Sequence, residues 1–232
     1  MKKFGFIVFI VAILAGVVFA NLFSFGRSTS RIFNISFGTS VKGSGVAKTE
    51  ARETGDFKGV DVSGVFQVDV VAGKEFKVEV EADDNLLQYI KTEVRDDVLR
   101  IESSERLRSE SPLRIRVSAP NIETIEASGA SRVSVEGVKN SSISLDTSGA
   151  SKVRLQGETA NLRIEVSGAS SIDASALQSQ NADVDASGAS NVDLVVTGQF
   201  NSEASGASRI SYSGNPTSVE KSSSGASRIS SK

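Results

Sequence analysis

Hydrophobic and polar residues alternate along much of the chain after residue 55. The alternation is clear at Phe76, Val78 and Val80, and many of the apolar positions hold β-branched residues. A period of two is that of a β-strand, because successive side chains of a strand point to opposite faces of the sheet. The pattern therefore predicts an all-β domain in which each strand buries one face.

A four-residue motif, Ser-Gly-Ala-Ser, repeats through the second half of the chain. It begins at Ser128, Ser148, Ser167, Ser187, Ser205 and Ser224, so successive starts lie 20, 19, 20, 18 and 19 residues apart. A motif with a nearly constant period is typical of a solenoid, in which each repeat forms one coil and stacks on its neighbours. We expect each tetrad to mark one coil.

Alignment of the repeats on the tetrad gives apolar columns on both sides of it. The columns after the tetrad are Val133, Val153, Ile172, Val192, Ile210 and Ile229, then Val135, Leu155, Ala174, Leu194 and Tyr212. The columns before it are Ile125, Leu145, Ile164 and Val184, then Ala127, Thr147, Val166 and Ala186. Their period of two predicts inward-facing side chains on short strands. Coils of about 19 residues, stacked roughly 4.8 Å apart, form a parallel β-helix.

The glycine of each tetrad has a structural interpretation. These glycines are Gly129, Gly149, Gly168, Gly188, Gly206 and Gly225. Glycine adopts backbone angles that are closed to other residues, and the flanking Ala and Ser are small enough to stack where the chain bends. A phosphate-binding loop or a nucleophilic Ser would require six equivalent sites, and the chain contains no His to act as the base. We therefore assign the tetrad a structural role.

The first half of the domain is less regular but also predicts strands. Phe57 to Val70, Phe76 to Val80, Val94, Val98 to Ile101, and Leu113 to Val117 carry the alternating pattern, and Pro120 ends the last of these strands. The sequence Asp83-Asp84-Asn85-Leu86-Leu87 predicts a short helical turn, with Asp83 or Asp84 as its N-cap.

The N-terminus has the pattern of a targeting segment. Lys2 and Lys3 precede an uncharged, largely apolar run that extends to Gly26. As a helix this run would rise roughly 30–35 Å, about the hydrocarbon thickness of a bilayer, with the lysines on the cytoplasmic side. Residues 1–26 are therefore predicted to be a signal peptide, cleaved after Val18-Phe19-Ala20, or a retained transmembrane anchor. Either would place the rest of the chain outside the cytoplasm.

Residues 27–54 are predicted to link this segment to a single β-helix domain at residues 55–232. The stretch contains Gly43-Ser44-Gly45, which is typical of a linker, while Phe33, Ile35 and Phe37 alternate as one short strand would.

Composition excludes several functional classes. The chain has no Cys, no His and no Trp, so disulfides, imidazole bases and the commonest zinc ligands are absent, and no cofactor is predicted. The net charge of −2 offers no basic field for nucleic acid.

Three segments in order carry a resemblance to a known family. Val62-Ser63-Gly64-Val65-Phe66-Gln67-Val68 is followed by Asp84-Asn85-Leu86-Leu87, then by Val117-Ser118-Ala119-Pro120 and the repeated tetrads. This order resembles the bacterial putative auto-transporter adhesin, head GIN domain family, over roughly residues 55–232. The resemblance implies a right-handed β-helix on an exported protein with an adhesin-like role, and it brings no catalytic residues.

Two outward-facing columns carry charge. The acidic ladder, at the second position before each tetrad, consists of Glu126, Asp146, Glu165, Asp185 and Glu203. The basic column, directly after each tetrad, consists of Arg132, Lys152, Ser171, Asn191, Arg209 and Arg228. Like charges that stack about 4.8 Å apart repel one another, so we expect basic neighbours or bound cations to compensate the ladder.

Compensation is predicted to be poorest in the central coils, where the basic column is interrupted. Glu165, Asp185, Asp173 and Asp193 form a candidate cation patch there, whose oxygen ligands suit calcium. The alternative is a solvated acidic face that maintains solubility and discourages edge association.

The sequence as a whole favours an exported, non-catalytic binding or structural module of the cell envelope or surface. Its partner would be a glycan, an envelope polymer or a protein, and association of the chain with itself is left open. Two alternatives remain: a polysaccharide-active β-helix enzyme, and a membrane-anchored envelope stress or sensor accessory protein. An enzyme would require convergent carboxylates and aromatic platforms in a groove, whereas this chain has two Tyr and spreads its acids along a ladder.

Overall fold

The computed structural model describes residues 40–232, whose regular secondary structure is β-strand apart from one short 3₁₀ helix. The predicted N-terminal helix and the predicted strand at Phe33 to Phe37 lie outside the described residues. Among residues 40–232, no helix has the length and apolar character needed to cross a bilayer. The strands are β1 (Val41–Lys42), β2 (Ala47–Arg52), β3 (Gly59–Gly64), β4 (Gln67–Ala72), β5 (Lys77–Asp83), β6 (Ile90–Arg95), β7 (Val98–Ser103), β8 (Leu107–Arg108), β9 (Arg114–Ala119), β10 (Thr124–Gly129), β11 (Arg132–Thr147), β12 (Lys152–Val166), β13 (Ser171–Ala186), β14 (Asn191–Val196), β15 (Gln199–Ala204), β16 (Arg209–Ser213), β17 (Ser218–Ser223) and β18 (Arg228–Ser231).

The six tetrads lie over one another at the same turn of successive coils. The residues directly after them pair in parallel, in the order Arg132, Lys152, Ser171, Asn191, Arg209 and Arg228. The predicted apolar columns are buried, and only Ile229 in the last coil is partly exposed. The prediction of an all-β solenoid is thus confirmed, with about five turns. The right-handed winding that the resemblance implies stays a prediction.

The tetrad turn brings the backbones of neighbouring coils into direct contact. The amide of Ala150 donates a hydrogen bond of 2.8 Å to the carbonyl oxygen of Gly129, and the same bond recurs in every later tetrad. Gly149 has a φ of +74°, and a Cβ added there would lie 2.5 Å from the oxygen of Gly129. Only glycine satisfies both conditions, because other residues are strained at this φ and would clash with the coil beneath.

The last serine of the tetrad faces the core. Ser131, Ser151, Ser170, Ser190 and Ser208 are all buried. Their hydroxyls find partners nearby: Ser131 and Ser151 lie 3.2 Å apart through their Oγ atoms, and Ser208 donates to the carbonyl of Ser205 at 2.8 Å. A small polar residue therefore fits this position because its hydroxyl is satisfied within the turn or by the next coil.

The N-terminal end of the solenoid does not follow chain order. The coil formed by β3 and β4 pairs on one side with β7 and β9, and on the other side with β10 and β11. Along the chain, the coil at residues 59–72 comes first and the outer coil at 98–119 comes second. The later coils stack on the opposite side of the coil at 59–72. Gly64 begins the glycine stack, since its carbonyl oxygen lies beneath Gly129.

Antiparallel strands close this end, which differs from the predicted parallel solenoid over the whole of residues 55–232. β6 pairs with β7, β5 pairs with β9, and β2 pairs with β5, all antiparallel. β1 and β2 lie within the stretch predicted as a linker, and β1 pairs with β8. β5 and β6 pair with backbone N–H and C=O groups of the outer coil at residues 98–119 that would otherwise lie at an open edge.

The helical turn predicted after Asp83 is present, but the predicted N-cap residue is wrong. The segment forms a 3₁₀ helix at Leu87–Tyr89, with Leu86 at the N-cap and no side-chain cap. Asp83 is buried and instead accepts a hydrogen bond of 2.9 Å from the hydroxyl of Ser109. Asp84 accepts hydrogen bonds from Ser44 Oγ and the Asn85 amide. Both aspartates therefore tie loops of the N-terminal end together.

Replacement of Gly149 by alanine tests the close approach at the turn. We expect Gly149→Ala to lower the free energy of unfolding by at least about 2 kcal/mol, because it adds both φ strain and a backbone clash. The control is Gly73→Ala, since Gly73 has a φ of +83° but open space around it; the expected loss there is about 1 kcal/mol. Urea denaturation of both variants measures the difference, and equal losses would refute the clash.

Thr147 is the basis of a second stability test, because its hydroxyl is buried in an apolar column between Ala127 and Val166. Its Oγ1 has no hydrogen-bond partner among the described residues. We expect Thr147→Val to raise the free energy of unfolding by about 1 kcal/mol. Thr159→Val is the matched control, since the Thr159 hydroxyl donates to Asn140 Oδ1 at 2.8 Å and its loss should destabilise the protein. Stabilisation by both variants would contradict this assignment.

Candidate functional site

The predicted acidic ladder exists as one continuous column on the strands before the tetrads. Glu126, Asp146, Glu165, Asp185 and Glu203 are successive cross-strand partners. Asp61 extends the column by one coil beyond Glu126 and was missed by the sequence analysis. The available signal was its position two residues before Ser63-Gly64, the same offset that Glu126 has from Ser128-Gly129.

Burial and neighbouring charge act on the N-terminal end of the ladder. Burial raises the pKa of Asp61, and the guanidinium of Arg100, its partner on β7, opposes this. Burial also raises the pKa of Glu126, with added repulsion from Asp61 and Asp146. The ionised ladder is therefore under electrostatic strain where it meets the N-terminal coils.

Part of the acidic charge in the central coils is compensated by Arg163, which the sequence analysis did not single out. Arg163 lies two residues before Glu165 on the same face of β12, and its guanidinium contacts Glu165 at 2.7 Å and Asp183 at 3.1 Å. At Glu165 this outward neighbour, two residues earlier, supplies the positive charge that the basic column lacks in these coils. Asp185 has the acidic Asp183 at the same offset and forms no ion pair among residues 40–232.

The four residues of the candidate cation patch fall into two separate pairs. Glu165 and Asp185 are partners before the tetrad and line a shallow pocket of about 280 Å³ together with Asp146. Asp173 and Asp193 are partners after the tetrad and line a different groove. Among residues 40–232, no three carboxylates converge in a geometry that could hold a metal ion. The intervening tetrad turn separates the two pairs.

A charged groove lies on the strands that follow the tetrads. It has a volume of about 430 Å³, and its lining residues are Gln67, Asp69, Arg132, Val133, Ser134, Lys152, Val153, Arg154, Ser171, Asp173 and Asp193. Three cations and three carboxylates thus share one groove with hydroxyl and amide groups. It includes the first three positions of the basic column.

Each carboxylate in the charged groove has a basic partner. Asp173 accepts from Arg154 Nε at 3.2 Å; the hydroxyl of Ser175 and this guanidinium lower the pKa of Asp173. Asp193 lies 2.7 Å from Lys232 Nζ, and Asp69 lies 3.8 Å from Arg114 Nε. Two of these basic partners lie outside the lining of the groove, so the positive charges of two lining residues, Arg132 and Lys152, are not offset by the three acids.

The arrangement suits binding more than covalent chemistry. Tyr212 is buried and Tyr89 is half-buried, and neither lines the charged groove. The carboxylates of the acidic ladder are spread over successive coils instead of meeting at one point. What the surface offers is the same charged group at a spacing of about 4.8 Å, a geometry suited to repetitive polymers.

The strain on the acidic ladder predicts a pH-dependent effect of Glu126→Gln. The folded state binds the Glu126 proton more tightly than the unfolded state does, since the pKa is raised on folding. The ionised side chain therefore destabilises the fold at neutral pH, and this effect disappears as the pH falls through the raised pKa. We expect Glu126→Gln to raise the free energy of unfolding at pH 7 by about 0.2–1 kcal/mol, and the gain to vanish in acid.

Denaturation at neutral and acidic pH measures this difference. Glu158→Gln is the control, because Glu158 is exposed and lies outside the ladder, where it pairs with Lys139 at 3.4 Å. A constant stabilisation by Glu126→Gln at every pH would argue against a charge effect.

The sequence was compared with models of protein families and with curated proteins, and one family matches. The model of the family described as "putative auto-transporter adhesin, head GIN domain" matches residues 56–216. No curated protein shows significant similarity to the chain.

Solved structures of low sequence identity share the fold. A putative adhesin from Bacteroides fragilis matches with a TM-score of 0.69 and 19% identity, over 83% of this chain and 100% of its own. A putative adhesin from Parabacteroides merdae matches with a TM-score of 0.64 and 17% identity, over 83% and 99%. A third, from Parabacteroides distasonis, has a TM-score of 0.59 and 17% identity, over 84% and 100%. Because the family model covers more than half of the sequence, the chain belongs to the putative auto-transporter adhesin, head GIN domain family.

Proposed function

We propose that this protein is an extracytoplasmic, non-catalytic adhesin-like module that binds a polymer of the cell envelope or surface. The observation that carries the proposal is the pair of charged surfaces on either side of the tetrad turn. The acidic ladder and the charged groove present ionic groups on successive coils, in register. A polymer with repeated groups can contact several coils at once, so weak single contacts add up to useful affinity.

The location outside the cytoplasm is supported by two independent features. Lys2 and Lys3 precede an apolar run of the length that export or anchoring requires. Membership of an adhesin-named family and structural similarity to proteins named as adhesins agree with a surface or envelope location. A retained anchor would hold the solenoid near the membrane, and a cleaved signal would release it.

Cosedimentation with envelope polymer tests this function. The full chain, kept soluble in mild detergent, is mixed with the insoluble polysaccharide fraction of the cell envelope and centrifuged. We expect it to pellet with the polymer and to be released by molar salt, because exposed charge contacts are screened at high ionic strength. Protein denatured beforehand is the control for trapping. Failure of the folded chain to pellet with any envelope fraction would refute the proposed function.

A further inference from the structure

We propose that the charged groove binds an acidic polysaccharide, with Arg132 and Lys152 contacting its carboxylate groups. This inference rests on the proposed function and names the class of polymer that the groove accepts. Arg132 and Lys152 are direct partners on β11 and β12, so their side chains leave neighbouring coils on the same face. Two adjacent positive charges repel each other unless an anion lies between or above them.

The two cations lack a counter-ion within residues 40–232. The ion pairs of this region join other residues, and neither Arg132 nor Lys152 takes part in any of them. Both side chains are exposed, so a ligand can reach them. The groove therefore holds two free cationic groups about one strand spacing, roughly 4.8 Å, apart.

The carboxylates that share the groove do not cancel this charge. Asp69, Asp173 and Asp193 are each within 4 Å of a different basic residue, as described above. Their remaining lone pairs can still accept hydrogen bonds from the hydroxyls of a sugar. Paired acids beside free cations thus suit a ligand that carries both hydroxyl and carboxylate groups.

Neutral polar groups favour a sugar over a simple anion. Gln67, Ser134 and Ser171 line the groove and are half-buried, and they offer amide and hydroxyl groups within the same volume of about 430 Å³. Concave sites of this kind fix a ligand by a few convergent polar groups. A carboxylated glycan can pair its carboxylates with the cations and several hydroxyls of each sugar with these groups, whereas an acidic peptide offers them one backbone donor and one acceptor per residue.

A second copy of the chain is the competing occupant. The acidic ladder repeats at the same spacing as Arg132 and Lys152, because both belong to the same stacked coils. The ladder of one molecule would engage the cations of another, but one of its carboxylates, Glu165, is already paired with Arg163. A polyuronic acid carries a free carboxylate on every sugar. We therefore assign the groove to the glycan, and the experiment below also measures self-association of the chain.

Calorimetric titration of the full chain tests the assignment. The probes are a short oligogalacturonide, a neutral oligosaccharide of the same length, and an oligoglutamate of the same charge. The double variant Arg132→Ser, Lys152→Ser removes both free cations. The double variant Arg209→Ser, Arg228→Ser is the matched control, because it makes the same charge change at exposed positions of the basic column outside the groove.

We expect the oligogalacturonide to bind more tightly than either other probe. The groove variant should weaken it on the order of 10-fold, and the control variant by less than about 2-fold. Equal binding of oligoglutamate, or equal loss in both variants, would overturn the assignment. So would concentration-dependent self-association, seen by sedimentation velocity and abolished by the groove variant. Unaltered pelleting of the groove variant with envelope polymer would overturn this inference while the proposed function stands.

Discussion

Backbone hydrogen bonds between coils continue without a break through the tetrad turn, and the rest of the solenoid depends on them. The amides of Ser148, Ala150 and Lys152 donate to the carbonyls of Ala127, Gly129 and Ser131 at 2.8–2.9 Å. A turn that joins such ladders must let two backbones meet, which leaves no room for a side chain at Gly149. The small residues of the tetrad follow from this contact.

Close contact at the turn also forces successive coils into register, and the surface chemistry follows from that register. A residue at one position of the repeat lies directly over its counterpart in the next coil. Apolar positions then form continuous buried columns, while charged positions form columns of like charge. The protein offsets part of the resulting repulsion with outward neighbours on the same strands, of which Arg163 is the clearest case.

The sequence predicted the repetitive part of the fold well, because its period and its alternation describe contacts between consecutive coils. It could not predict the N-terminal end, where the coil at residues 59–72 lies between coils that are distant in sequence. Ser63-Gly64-Val65-Phe66 also departs from the tetrad, with Phe66 buried where later coils bury a serine. β2 was hidden for another reason: its mostly exposed residues show no apolar alternation.

The candidate site was predictable only in part, for a related reason. Columns of charge can be read from a repeat, so the acidic ladder and the basic column were both found. Ion pairs depend on which strands lie beside each other. Asp69 pairs with Arg114 on β9, and Asp193 pairs with Lys232, and neither pair follows the repeat. The division of the candidate cation patch by the tetrad turn likewise depends on the bend of the chain in space.

Departures from the repeat are what can give this scaffold a localised site. A perfectly regular solenoid would carry the same chemistry on every coil and would have no preferred position for a ligand. Here the basic column changes from Arg132 and Lys152 to Ser171 and Asn191, so charge gives way to neutral polar groups within a few coils. The charged groove lies at this change. The backbone contact at the turn fixes the spacing, and the variation in the column selects where along the solenoid an acidic polymer would be held.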